Sequence, residues 1–262
     1  MKFVSFWENA PTRRMPPYVA LALASLHRSL GEDFVLLGAK DVELAVGHNI
    51  TTREWRFGQL DFEGSPEALS IVAKSDYIRM AYVYRHGGYW LDADTIALCN
   101  PKPGLELGTL DDRLHWYSEA LFGARPGNSM LQTSVDQCWE SSRHMWGNPG
   151  GIRDLVDLNT SRVRMISPAL LDPGFRPAYR FPTCDVMLDT TVHVDEFLSS
   201  SSVKLLKLYN TYFSRTYIGD LSVSEFLKSG TLLSRIFLHI EPSADEWIAR
   251  CSALEDSLKA RS

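Results

Sequence analysis

Short apolar runs alternate with longer amphipathic stretches through the first hundred residues. Phe3 to Phe6, apolar except for Ser5, predicts a buried strand, and Phe34-Val35-Leu36-Leu37 predicts a second. Between them, Asn9 to Met15 is a polar loop. Pro17 to Leu30, with Val19, Leu21, Leu23, Ala24 and Leu26 as its apolar content, predicts a helix. This β-α-β opening is what a nucleotide-binding α/β domain requires, with ligands at the carboxyl ends of the strands. Residues 40–64 are mixed and give no assignment. From Pro66 to Arg85, Leu69, Ala73, Tyr77, Met80, Ala81 and Tyr84 recur at three- and four-residue spacing and predict a helix with one buried face. Ser65 is placed to cap it, and Pro66 suits its first position. Gly87 and Gly88 stop it as an αL cap would. Tyr89 to Leu91 then forms a short apolar strand that runs into Asp92-Ala93-Asp94.

The second half is less regular. His115 to Tyr117 and Ala120 to Ala124 predict two strands, and Gly127-Asn128 precedes a helix from about Ser129 to Met145. Gly147-Asn148-Pro149-Gly150-Gly151 is a break. Residues 152–235 predict short helices and loops, including the exposed-looking Ser199-Ser200-Ser201-Ser202. Phe237 to Ile240 predicts a late strand, and Ser243 caps a final helix running to about Ala260. There is no internal repeat.

Composition narrows the function. A hydrophobic fraction of 45% over 262 residues suits a globular chain with a sizeable core, read as one domain. The net charge of −5 gives no electrostatic case for nucleic acid or an anionic membrane surface. Cys99, Cys138, Cys184 and Cys251 are scattered, so neither a zinc site nor a disulfide framework is expected, and a reducing cytosol is the simplest setting. No signal peptide and no transmembrane segment are expected. The expected location is cytoplasmic, with any membrane association peripheral, at the inner face.

The candidate chemistry lies between Asp76 and Asp94. In an extended or turning backbone, alternate side chains point the same way, so Asp92 and Asp94 can face one ion at a strand end. Oxygen ligands of this kind suit Mg²⁺ or Mn²⁺ shared with a phosphate-bearing substrate. Asp76 and Arg79, three residues apart, share a helix face. They read either as an intrahelical ion pair or as a carboxylate and a guanidinium aimed at a sugar hydroxyl and a diphosphate. Trp7, just beyond the first strand, is a candidate platform for a base, and equally a core residue.

Ser75-Asp76-x-x-Arg79, followed by Tyr84-x-x-Gly87-Gly88-x-Trp90-x-Asp92-x-Asp94, resembles the signature of DXD-containing sugar transferases. These include the capsular polysaccharide synthesis family, the yeast-type mannosyltransferase relatives and the clostridial glucosylating toxins. Val4-Ser5-Phe6-Trp7 and Met15-Pro16-Pro17-Tyr18-Val19 are similar to the opening of the capsular family, and the specific similarity covers roughly residues 1–100. The resemblance implies an α/β fold of GT-A type, with a mixed central sheet flanked by helices and residues 101–262 forming an acceptor side and a closing segment. It implies transfer, with retention, from a UDP- or GDP-sugar to a glycan or other hydroxyl acceptor, in a surface or capsular polysaccharide setting. By the same resemblance Asp76, Arg79, Asp92 and Asp94 are the catalytic set, and Ser5, Phe6, Trp7 and Trp90 join Asp76, Arg79 and Asp92 around the donor. Mn²⁺ or Mg²⁺ is held by Asp94 and Asp92, with His239 as the expected third ligand and Trp247 following it. Glu119 and Asn128 lie in a segment expected to border the sugar.

Two other readings remain open. Asp92-Ala93-Asp94-Thr95 also fits the Asp-x-Asp-x-Thr nucleophile motif of haloacid dehalogenase-type phosphatases, which normally follows the first strand. The third reading is a non-catalytic module that keeps the fold for sugar or protein recognition.

Overall fold

The computed structural model describes residues 1–9, 13–41, 66–105, 111–141, 152–168, 184–198 and 203–260. The expected break at 147–151 and the serine run at 199–202 lie outside them. In the first half the elements follow the apolar pattern closely. Strand β1 is Phe3–Phe6, helix α1 is Pro17–Leu30, β2 is Phe34–Leu37, α2 is Pro66–His86 and β3 is Gly88–Leu91. Strand β4 (Thr95–Ala97) comes directly after the acid pair. Then β5 (Leu114–Ser118) and β6 (Leu121–Ala124) precede α3 (Ser129–Ser141), α4 (Ile152–Leu158) and β7 (Val163–Met165). The chain ends with β8 (Leu205–Lys207), α5 (Val223–Lys228), α6 (Leu232–Ile240) and α7 (Ala244–Lys259), with short helical turns between.

One sheet has the order β2-β1-β3-β6-β5-β7, and β4 pairs with β8 in a second, two-stranded sheet. Strand β1 lies parallel to both β2 and β3, β6 runs antiparallel to β3 and β5, and β7 is parallel to β5. This is the mixed sheet flanked by helices that the resemblance implies. Alternation in the central strands explains why both faces are covered. Phe3, Tyr89 and Leu91 enter the core beside α1 and the C-terminal helices, while Val4, Phe6 and Trp90 enter the core beneath α2. Every residue of α1 from Pro17 to Leu26 is buried, as expected of a helix that is apolar all round.

Gly88 makes the junction between α2 and β3 possible. Its φ is +102°, and a Cβ there would sit 2.5 Å from the Lys2 carbonyl oxygen. That carbonyl accepts the Tyr89 N–H at 3.0 Å, the contact that starts the β1–β3 pairing. Only a residue without a side chain lets the two backbones approach this closely.

The late strand expected at Phe237–Ile240 is instead the last turns of α6. The Thr231 hydroxyl caps the helix by accepting the Ser234 N–H at 3.2 Å, and Leu232, Leu233, Ile236 and Phe237 bury one face. The four residues Phe237-Leu238-His239-Ile240 alone cannot distinguish strand from helix. The i, i+1, i+4, i+5 spacing that begins at Leu232 decides it. Strands β7 and β8, three residues each, were not expected from the sequence; they exist because of their partners β5 and β4.

Candidate functional site

The parallel register of β1 and β3 sets Trp7 and Asp92 at neighbouring strand ends. Antiparallel pairing with β6 brings in Glu119 and Ala120, and the Asp92 N–H donates to the Ala120 carbonyl at 3.0 Å. The result is a cleft of about 570 Å³, lined by Trp7, Asp76, Arg79, Asp92, Asp94 and Lys207 among others. Phe6 and Trp90 also reach its wall.

Asp76 and Arg79 occupy adjacent turns of α2 and form an ion pair, as one sequence reading expects. The pair is not a solvated surface pair, since Arg79 is only 8% exposed. Its Nη1 donates to the Glu119 carbonyl at 3.1 Å and lies 3.6 Å from Asp92 Oδ1. One guanidinium therefore ties α2 to both strand ends that form the cleft floor.

Four other sequence candidates fall into place differently. Ser5 is fully buried and its hydroxyl donates to the Leu91 carbonyl at 2.6 Å, so it holds β1 against β3 and its side chain does not reach the cleft. The Trp7 Nε1–H donates to Asn9 Oδ1 at 2.8 Å and fixes a half-buried indole at the cleft rim. Asn128 caps α3, its Oδ1 accepting the Met130 and Leu131 N–H groups at 3.1 and 3.3 Å, which accounts for it without a sugar. Glu119 lines the cleft and pairs with Arg153 at 3.3 Å.

His239 is not brought to the acid pair. It projects from the last turn of α6, half exposed, 3.8 Å from Asp195. Trp247 is buried in the core, its Nε1–H donating to the Phe237 and Glu241 carbonyls at 3.1 and 3.0 Å. The segment that does close on Asp94 is 207–210, on and after β8. Thr95 pairs with Lys207 across β4 and β8, and the Leu208 N–H donates to the Asp94 carbonyl at 2.8 Å.

Lys207 is the residue that sequence reading missed. Its ammonium donates to Asp94 Oδ1 and lies 3.2 Å from Asp92 Oδ2. Asp94 Oδ2 accepts the Asn210 N–H at 2.9 Å, and Asp92 Oδ1 accepts the Trp90 Nε1–H at 2.9 Å. Each of the four oxygens of the acid pair therefore has a donor supplied by the protein. Burial opposes charge on all three groups. At Asp92 the Lys207 and Arg79 charges overcome it and hold the carboxyl below its usual value. At Asp94 burial, reinforced by the Asp92 charge, pushes the carboxyl up, while the two carboxylates hold the Lys207 ammonium above its ordinary value. The pair is thus split into a stronger acid and a weaker one around one cation.

These residues do not fit a divalent ion as the sequence reading framed it. A site of this type needs several open oxygen ligands at roughly 2.0–2.1 Å from Mg²⁺. Here an ammonium stands between the two carboxylates. Among the described residues no three His, Cys, Asp or Glu side chains converge on a metal position.

Comparison with known proteins agrees with the motif. Residues 41–111 match the family model of the glycosyltransferase sugar-binding region containing DXD motif, a span that includes Asp76, Arg79, Asp92 and Asp94. Solved structures similar to this chain include the glycosyltransferase GlyE of Streptococcus pneumoniae TIGR4, at TM-score 0.47 and 13% identity over 98% of this chain and 64% of that one. The apo form of the same enzyme gives TM-score 0.45 and 13% identity, covering 95% and 63%. The PaToxG glycosyltransferase gives TM-score 0.37 and 11% identity, covering 91% and 84%. The chain thus spans somewhat under two thirds of the length of the pneumococcal protein. No curated protein sequence matches it.

Proposed function

We propose that this chain, which carries the DXD-containing sugar-binding region of the glycosyltransferases, moves a sugar from a UDP- or GDP-sugar donor to a hydroxyl acceptor such as a glycan. The observation that carries this reading is the meeting of Trp7 with Asp76, Arg79, Asp92 and Asp94 in one cleft, although Trp7 lies far from the other four in sequence. In this arrangement Trp7 stacks on the base, and Asp76 and Arg79 grip the sugar and diphosphate. Asp92 takes the ribose or sugar hydroxyls. The C1–O bond to the diphosphate breaks with its electrons staying on the phosphate oxygen. The acceptor oxygen bonds to C1, and its proton passes to the departing diphosphate. This same-face transfer gives retention and needs no protein nucleophile. A cytoplasmic setting, with residues 1–262 acting as one domain, belongs to the same reading. Among the described residues no helix is long and apolar enough to cross a membrane.

The phosphatase alternative is disfavoured because the acid pair follows β3, not the first strand, and the segment before it matches a sugar-binding region. A thermal-shift panel tests the choice. A UDP- or GDP-sugar at about 100 times its Kd stabilises the protein by about 2.7 kcal/mol, and Asp94→Asn removes that stabilisation while the variant still melts cooperatively. No shift from any nucleotide sugar, together with phosphate release from simple phosphomonoesters, would reverse the assignment. No shift and no release would leave a non-catalytic module.

A further inference from the structure

The oxygens of the acid pair are already engaged by donors of the protein. The Lys207 ammonium contacts Asp94 and Asp92, the Asn210 N–H takes the second Asp94 oxygen, and the Trp90 indole and Arg79 take the other oxygen of Asp92. Lys207 is held there by the β4–β8 pairing, which places it opposite Thr95, one residue after Asp94. Its side chain is 13% exposed and lines the cleft. An ammonium has three N–H donors. Two point to the carboxylates, which leaves one for an oxygen of a bound ligand. Tyr209, whose ring centroid is 5.9 Å from Nζ, flanks the ammonium.

We propose that Lys207 is the cation that binds the diphosphate of the donor and stabilises it as it leaves, in the position where DXD transferases would otherwise use a divalent metal. This inference rests on the nucleotide-sugar reading above. The carboxylates Asp92 and Asp94 then serve to position Lys207, not to ligate an ion. When the C1–O bond breaks, the developing charge on the β-phosphate oxygen is met by Lys207, with Arg79 at the other side of Asp92. A fixed, largely buried cation needs little reorganisation as that charge develops.

The test is nucleoside diphosphate binding by calorimetry, using UDP and GDP on the full chain, with a chelator and separately with Mn²⁺. One of the two binds with a Kd that differs by less than about twofold between the conditions. Lys207→Met weakens that binding by about tenfold or more, the scale of a charge-assisted hydrogen bond. Lys207→Arg restores most of it. Binding of the matching nucleoside, which lacks phosphate, is unchanged in both variants; a merely structural role for Lys207 would weaken nucleoside and diphosphate alike. Lys207→Met leaves two buried carboxylates without their cation and can fail to fold, so the wild-type comparison and Lys207→Arg stand on their own. Diphosphate binding that vanishes with chelator and returns with Mn²⁺ overturns the inference and leaves the donor reading intact. If neither UDP nor GDP binds in any condition, both fall together.

Discussion

Replacing Arg79 with alanine separates the two descriptions of the Asp76–Arg79 pair. Read as an exposed i, i+3 pair on a helix, its loss should cost about 0.5 kcal/mol or less. The structure gives a different magnitude. Arg79 is 8% exposed, is paired with Asp76, and also binds the Glu119 carbonyl at 3.1 Å and faces Asp92 at 3.6 Å. Truncation removes the guanidinium from the partly buried Asp76 carboxylate and from the Glu119 carbonyl. Breaking a buried ion pair from one side typically costs about 3–5 kcal/mol. Asp92 keeps Lys207 and the Trp90 N–H, which places the expected loss near the lower end, about 3 kcal/mol. For a chain of this size that is a fall of about 6 °C in Tm. Thermal melts followed by circular dichroism, with urea titration as a second measure, read it directly. A double-mutant cycle with Asp76→Asn assigns the share due to the pair. Arg79→Lys keeps the charge but loses the planar fork, so it should recover part of the stability and little of the transfer activity, assayed well below both melting temperatures. An Arg79→Ala protein that melts within about 1 °C of wild type would refute the reasoning and return Arg79 to the solvated surface.

Two further outcomes concern the scaffold. Gly88→Ala combines a φ of +102° with a Cβ 2.5 Å from the Lys2 carbonyl, so β1 and β3 must separate; a loss well above ~1 kcal/mol in urea unfolding is expected, and a neutral substitution would mean that the junction relaxes freely. His115 is 2% exposed and hydrogen-bonded to the Tyr89 hydroxyl at 2.7 Å, and burial, reinforced by the repulsion of Arg164 and Arg113, holds its imidazole below the usual value despite Asp111 at 3.6 Å. The unfolded chain therefore binds the proton more readily than the fold. The resulting stability is present above about pH 6.5 and is lost as pH falls towards the depressed folded value, by at most about 1.4 kcal/mol per pH unit. Urea titrations from pH 7.5 to 5 should show that slope in wild type and not in His115→Phe, and parallel profiles would acquit His115.

The first half of this fold was readable because its signals are local. Pro17 and Pro66 start helices, Gly31 and the Gly87-Gly88 pair end them, and the short, largely apolar strands beside them are almost wholly buried. The motif from Ser75 to Asp94 was readable for a related reason. One helix, one turn and one strand carry it, so spacing along the chain is nearly spacing in the molecule. Where partners lie far apart, the sequence is silent. Phe237 to Ile240 looks like a strand in isolation and is helical because Thr231 and Leu232, five or more residues earlier, set the helix. The chain by itself determined that an acid pair stands at a strand end beside an Asp76–Arg79 helix. It did not determine what faces that pair. Lys207 sits 113 residues from Asp94 on a strand three residues long, and nothing in Leu205-Leu206-Lys207 distinguishes it from any other short apolar run with a basic end. Only the antiparallel β4–β8 pairing brings that ammonium between the carboxylates and leaves His239 on a different surface. A long-range contact of this kind is fixed by how whole elements pack, and no local pattern encodes it.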